Sequence, residues 1–259
     1  MIAASPPFGP AKSGCPGFPR ATAFIATWRA RLGGCAGSLS CTPSKQPGHQ
    51  QSRPYNRPVV PAMPAVAGIL LTGGASRRFG RDKSLFEIDG ETLATRTARL
   101  LQRVAAPVIE VGPGVSGCPS VVEVPRGGGP LAAVAAGNEE LRARGSQGDA
   151  LVIACDMPLL SEPLLRLLAE FSPPGTVIPV VCGQPQPLCA RWGAGDMARC
   201  RDLLAAGARS LRHLATQPSS VLIDESVWGG VADEWSFADL DHPQDVTRLG
   251  IRGRHATGS

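Results

Sequence analysis

The sequence predicts a layered α/β/α domain with a mostly parallel sheet. Two observations carry that reading. Short apolar runs alternate with segments of helical period from about residue 64 to residue 250, the pattern that lays helices on both faces of one sheet. Several of the apolar runs end in glycine-rich or acidic loops, at Gly73-Gly74, at Gly127–Pro130 and at Asp156. In such sheets ligands collect beyond the carboxyl ends of the strands, so these loops belong on one rim.

The elements follow in order. Residues 66–71 read as a short buried strand bounded by Gly73-Gly74. Residues 85–90 read as an extended piece with a turn. Leu93, Thr97, Leu100, Leu101 and Val104 give residues 91–104 a helical period, stopped by Pro107. Residues 108–111 and 121–124 are the next strands, and the Ala-rich stretch 131–144 is a helix. Residues 150–154 form a buried strand closed by Cys155-Asp156-Met157-Pro158. Ser161 can cap a helix over 162–171, with Pro163 in its first turn. Strands over 176–181 and 187–192 precede a helix over 196–206 and a shorter one from Ser210. Strands over 221–223 and 235–240 and a helix from His242 or Pro243 complete the domain.

Composition sets the limits. The formal net charge is +5, yet the first 60 residues hold seven basic side chains and no acid, while the remainder holds 19 basic and 21 acidic. The excess therefore lies in the extension and gives the domain no nucleic-acid footprint. Residues 1–62 are rich in Pro, Gly and Ser without sustained apolar period, which reads as disorder. Their acid-free, Arg-bearing composition also fits an organelle transit peptide. Met63 reads as a native start, making the upstream stretch a mis-assigned one. The expected division is extension 1–62, domain 63–252 and flexible tail 253–259. No apolar run reaches the roughly 18 residues of a membrane span. Eight cysteines without a C-x-x-C pair read as free thiols in a reducing cytosol.

The first loop carries the chemistry. After Gly73-Gly74 come Arg77, Arg78, Arg81, Asp82 and Lys83. Glycines admit a phosphate close to main-chain N–H groups; Arg grips it with paired hydrogen bonds and Lys acts as a point charge. Neither the Walker pattern nor G-x-G-x-x-G fits, and on charge alone a solvated basic loop remains an equal reading. Asp156, at the end of a buried strand, suits Mg²⁺, which favours oxygen ligands and substrate phosphates; a turn aspartate before Pro158 is the alternative.

Leu71-Thr72-Gly73-Gly74-Ala75-Ser76-Arg77-Arg78-Phe79-Gly80-Arg81-Asp82-Lys83 closely resembles the L-x-G-G-x-S-x-R-M-G-x-D-K signature of the molybdenum-cofactor guanylyltransferases, within the Rossmann-like nucleotidyltransferases. Phe79 replaces the usual Met. Cys155-Asp156-Met157-Pro158 is similar to the family's C-D-x-P, and Phe237 to Asp245 to its late F-x-[ND]-[IV]-[ND]-T-P-E-[DE] segment, with His242 in place of Thr. Gly127–Ala132 resembles G-P-L-A-G, Gln186-Pro187-Leu188 resembles Q-P-L, and Arg209-Ser210-Leu211 resembles R-S-L.

The resemblance implies a role for each matching residue. Arg78, Lys83 and Asp156 are the expected catalytic groups. Leu71, Thr72, Gly73, Gly74, Lys83, Gly129, Pro130 and Asp156 would bind the nucleotide. Asp156 and Asp241 would hold Mg²⁺, although Asp241 serves equally as a helix cap, with Asp239 nearby. Arg209 and Arg212 could meet an acceptor phosphate or simply be surface arginines. Two departures stand out. Val124 occupies the place of the family's Asp before the G-P-L-A loop, and Glu123 beside it would face the other side of the strand unless the strand bulges. Gly112 stands where some members carry Asn.

The implied reaction transfers GMP from GTP to molybdenum-bound molybdopterin, giving the guanine dinucleotide cofactor and pyrophosphate in the cytoplasm. It would involve transient contact with the proteins that supply molybdopterin and mature molybdoenzymes. A cytidylyltransferase using CTP, another small-molecule nucleotidyltransferase, and a non-catalytic nucleotide- or cofactor-binding chaperone are the alternatives.

Overall fold

The computed structural model describes residues 66–73 and 82–255, the side chains of 253–255 excepted. Its centre is a mixed sheet ordered β10-β7-β9-β6-β1-β4-β5. The strands are β1 (Ala67–Leu71), β4 (Val108–Val111), β5 (Ser120–Val121), β6 (Ala150–Ala154), β7 (Val177–Val181), β9 (Cys189–Trp192) and β10 (Val221–Ile223). Strand β1 lies between β4 and β6 and is parallel to both. Strand β9 runs antiparallel to β6 and β7, and the two-residue β8 (Gln184–Pro185) folds back on β7. A small second sheet joins β2 (Phe86–Ile88), β3 (Glu91–Thr92) and β11 (Gly253–His255).

Alternation along β1 separates two cores. Val66 and Leu70 face one side, with Leu101 of α1 (Leu93–Gln102) and Leu164 and Leu168 of α3 (Glu162–Glu170). Ile69 and Leu71 face the other, with Leu131 and Val134 of α2 (Pro130–Ala143). All nine are buried. This is the three-layer arrangement that the period-2 and period-3.6 patterns predict. Gly137 lets α2 approach closely, since a Cβ there would stand 2.8 Å from Ile69 Cγ2. Among the described residues no helix is long and apolar enough to cross a membrane.

Several boundaries differ from the sequence reading. The strand over 121–124 ends at Val121, because the chain leaves the sheet and Glu123 closes a turn by accepting the Gly127 N–H at 3.1 Å. The helix over 196–206 is two, α4 (Ala194–Ala198) and α5 (Cys200–Ala205), since the Arg199 N–H closes early on the Asp196 carbonyl. The shorter helix is α6 (Arg212–Ala215), and α7 (Glu225–Trp228), unpredicted, starts where the Asp224 side chain accepts the Ser226 N–H. Residues 235–240 form no strand: Asp233 accepts the Ser236 N–H and nucleates a 3-10 turn over Glu234–Phe237. The last helix is α8 (Pro243–Arg248). Of the expected tail, residues 253–255 pair with β2. Residues 1–62 and the boundary at 63 lie outside the described residues.

Candidate nucleotide site

Strands β1, β4, β5 and β6 deliver their loops to one rim. At the end of β1, the Thr72 and Gly73 N–H groups both donate to the Val111 carbonyl, at 3.1 and 3.3 Å, and the Leu71 carbonyl accepts the Cys155 N–H at 3.0 Å. These contacts fasten the start of the first loop to the ends of β4 and β6. Beneath it, Gly112 (φ 155°) has no room for a side chain without a shift: an added Cβ would stand 2.1 Å from Thr72 Oγ1. The family's occasional Asn therefore has no room here. Gly74 and Arg78 lie outside the described residues.

Glu110 is a site residue the sequence reading passed over. It sits wholly buried in β4. Its carboxylate accepts Thr72 Oγ1 at 2.5 Å, the N–H groups of Gly114, Val115 and Ser116 at 2.8, 3.0 and 2.8 Å, and Ser116 Oγ at 2.5 Å. Burial pushes its pKa up, but the hydrogen bonds from Ser116, Thr72 and the loop outweigh that and hold it below the usual carboxylate range. The signal was available: an acid inside the apolar run Val108-Ile109-Glu110-Val111 must be paired.

Lys83 stands at the start of a 3-10 turn because Asp82 accepts the Ser84 N–H and hydroxyl, at 2.9 and 2.7 Å. Its ammonium lies 2.6 Å from Asp241 Oδ1 and 3.7 Å from Asp156 Oδ2. Asp156 follows β6, and its carbonyl accepts the Leu240 N–H at 2.9 Å, which pins the 239–241 segment to the rim. Asp241 does not cap α8: Asp245 accepts the N–H groups of Asp241 and His242 instead, leaving the Asp241 carboxylate to Lys83.

The charge balance here is uneven. Burial raises the pKa of Asp156, Lys83 opposes the rise and Asp241 adds to it. Asp239 is pushed up to about 7 by burial first and then by Asp156 and Asp241. The pocket thus gathers more carboxylate than one ammonium neutralises. Asp156 and Asp241 form an oxygen-only pair suited to Mg²⁺, which takes one or two carboxylates together with waters and phosphates. Among the described residues no three His, Cys, Asp or Glu side chains converge as a metal cage.

On the other flank of the rim, Gly129 (φ 86°) precedes Pro130 at the first position of α2. Arg209 and Arg212 are exposed, and the Arg209 carbonyl accepts the Leu131 N–H at 3.3 Å. Five cysteines among the described residues are free thiols; Cys182 is exposed, whereas Cys155 and Cys189 are buried. Burial lifts the Cys189 thiol to about 12 and Cys155 higher still, so neither is a nucleophile at neutral pH.

The profile of the MobA-like NTP transferase domain matches residues 68–221. The chain belongs to this family. The molybdenum cofactor guanylyltransferase of Rhodobacter capsulatus is 32% identical over 196 residues, 73% of this chain and 97% of that protein. A protein of Opitutus terrae named a probable molybdenum cofactor guanylyltransferase is 32% identical over 204 residues, 74% of this chain and 97% of its own length. The fold matches molybdopterin-guanine dinucleotide biosynthesis protein A from Archaeoglobus fulgidus with a TM-score of 0.59 at 21% identity, over 71% of this chain and 96% of that one. Membership makes the chain a nucleotidyltransferase. Lys83, Asp156 and Asp241, far apart in sequence, meet in one pocket of that family fold, while Gly129 and Pro130 lie on the flank beyond β4.

Proposed function

We propose that the chain is a Mg²⁺-dependent guanylyltransferase that transfers GMP from GTP to molybdenum-bound molybdopterin. The observation that supports this most is the Lys83 ammonium held between Asp156 and Asp241 beside the first loop. The names of the family relatives point to the same donor and acceptor. An oxygen of the acceptor's terminal phosphate attacks the α-phosphorus of GTP. The bond from that phosphorus to the β-phosphate oxygen breaks, and pyrophosphate leaves with the electron pair.

This chemistry asks for positioning and charge neutralisation rather than a covalent residue. Lys83 stabilises negative charge on the α-phosphate and the departing pyrophosphate, with Arg78 as its partner from the first loop. Asp156 and Asp241 would hold Mg²⁺, which when bound orients the phosphates and neutralises their charge. Thr72 and Gly73 seat the nucleotide against β4, and the Gly129-Pro130 turn bounds it on the far side. Cytoplasmic action fits a soluble nucleotide donor, with brief contacts to the proteins that deliver molybdopterin and receive the dinucleotide.

Pyrophosphate release from GTP and, separately, CTP, with molybdopterin-loaded acceptor and Mg²⁺, tests the reading. Release with GTP that is lost in Asp156→Ala supports it. Release with CTP alone, or with neither nucleotide, overturns it.

A further inference from the structure

We propose that the cavity between the 156–161 loop, residues 229–236 and the end of α8 is a docking surface for a partner protein, and that it takes a basic segment bearing an apolar anchor. The inference deepens the guanylyltransferase reading and rests on it for what the partner carries: molybdopterin on its way in, or the finished dinucleotide on its way out.

Three large apolar side chains line this cavity, whose volume is about 900 Å³. Leu159, Val231 and Trp235 are 37%, 41% and 44% exposed. The core lies close enough to have taken them. Trp228 and Phe237, their neighbours in sequence, are buried edge to face with ring centroids 5.2 Å apart, and Trp228 Nε1–H donates to the Val180 carbonyl at 3.3 Å. The fold thus sinks two aromatic rings and leaves a third facing out on a firm base. Exposed apolar side chains gathered on one cavity mark an interaction site, whereas scattered single ones need no explanation. Ser161, in the same wall, adds an unmet hydrogen bond. It stands at the N-cap of α3 without capping it, and its hydroxyl is buried with no hydrogen-bond partner. At Gly230 an added Cβ would meet nothing within 4 Å, so part of the wall is bare main chain.

Charge selects the partner. Residues 221–241 carry Asp224, Glu225, Asp233, Glu234, Asp239 and Asp241 and no Lys, Arg or His. That is −6 in 21 residues, against −2 for residues 61–259 as a whole. Among the described residues no ion pair engages the first four of these acids. Arg248 lines the cavity but is paired with Asp245 at 3.1 Å. Such a surface repels phosphates and nucleic acid and draws Lys and Arg. A guanidinium can lie over the exposed Trp235 ring while an apolar side chain enters between Leu159 and Val231, with the carboxylates steering the approach. The position suits a hand-over. From Asp156 the chain runs three residues to Leu159, and from Trp235 four residues to Asp239, so both walls are continuous with the reacting rim.

The test uses the full chain and a fluorescein-labelled helical peptide with a leucine face flanked by arginines, beside its twin with every Arg replaced by Glu. The Arg peptide is expected to bind wild type, more weakly as salt rises, and the Glu twin not to bind. Trp235→Ser should weaken the Arg peptide about tenfold or more, the scale of a hot-spot tryptophan. Asp233→Asn, which keeps an oxygen to cap the 3-10 turn, combined with Glu234→Gln should weaken it and flatten its salt dependence. Pyrophosphate release with free molybdenum-bound molybdopterin should stay at the wild-type level in these variants; its loss would put the cavity inside the substrate site and overturn the inference. Absent binding of the Arg peptide, equal binding of both peptides, binding untouched by the variants, or competition by GTP overturns it too. Self-association of the chain that Trp235→Ser abolishes would hand the surface to a second copy and overturn it as well. Peptide binding as expected in a chain that releases no pyrophosphate fells the guanylyltransferase reading and leaves the docking surface standing.

Discussion

Replacing Glu110 by Gln tests whether one buried carboxylate holds the first loop in place. Of its five hydrogen bonds, those from Thr72, Gly114 and Val115 fall on Oε1, and both from Ser116 fall on Oε2. A glutamine keeping its oxygen at the first position sets an NH₂ group against the Ser116 N–H. The hydroxyl can rotate to accept, but the N–H is left without a partner, and the other three bonds lose their charge assistance. An orphaned buried donor and weakened charged bonds together give about 2–4 kcal/mol of lost stability. Urea unfolding of the full chain at neutral pH measures it.

The pH dependence adds a second arm. Glu110 has a depressed pKa in the folded state. Its stabilisation is therefore complete above the unfolded value of about 4.3, and it is lost as pH falls through the folded value. The gap between wild type and Glu110→Gln should narrow as pH is lowered through that window. A variant within about 0.5 kcal/mol of wild type at neutral pH, the range of an ordinary surface change, would refute the reasoning. A gap that persists unchanged into acid would refute its electrostatic part.

Other substitutions follow from the same contacts. Lys83→Ala should lower turnover on the order of 10²-fold or more, as removal of one preorganised charge donor does; near-normal turnover in a pyrophosphate-release assay would take Lys83 out of the mechanism. Arg191, almost wholly buried, donates to the carbonyls of Ala169, Phe171, Pro173 and Gly175. Arg191→Met orphans those acceptors and should cost about 3–5 kcal/mol, the scale for breaking a buried charged network, read from urea or thermal unfolding. Gly112→Ala drives a methyl into Thr72. It should cost about 1–3 kcal/mol, as overpacking does, and weaken GTP binding in a titration.

How much of this was legible in the sequence depended on where the constraint lay. Strands β1, β4 and β6 were readable because burial on both faces writes a continuous apolar run, and α1 and α3 because one face is apolar. The junction of Lys83, Asp156 and Asp241 was placed by resemblance; no local pattern links residues 158 positions apart. The late segment reads as a strand in sequence because Trp235 and Phe237 flank a polar Ser236 in a short apolar stretch, while the Asp233 cap that turns the chain acts through one side chain. The face of Glu123 was not readable, because alternation holds only while the ladder lasts, and β5 lasts two residues. The split at Arg199 left no mark in composition.

The reversed direction of β9 has a consequence for how the domain can change. Its finish, at Arg191, is bolted to the carbonyls behind α3, on the side of the sheet away from the site. Its start, at Cys189, opens onto the rim beside Asp156 through the Leu188 carbonyl, which accepts the Ala154 N–H. The strand is a tie between the two ends of the sheet, laddered to β6 along its whole length. The 182–188 hairpin that leads into it is tied back to β7 through the Gln186 N–H, which donates to the Pro179 carbonyl at 2.8 Å, so a change of sequence between these ties leaves the register of β9 in place.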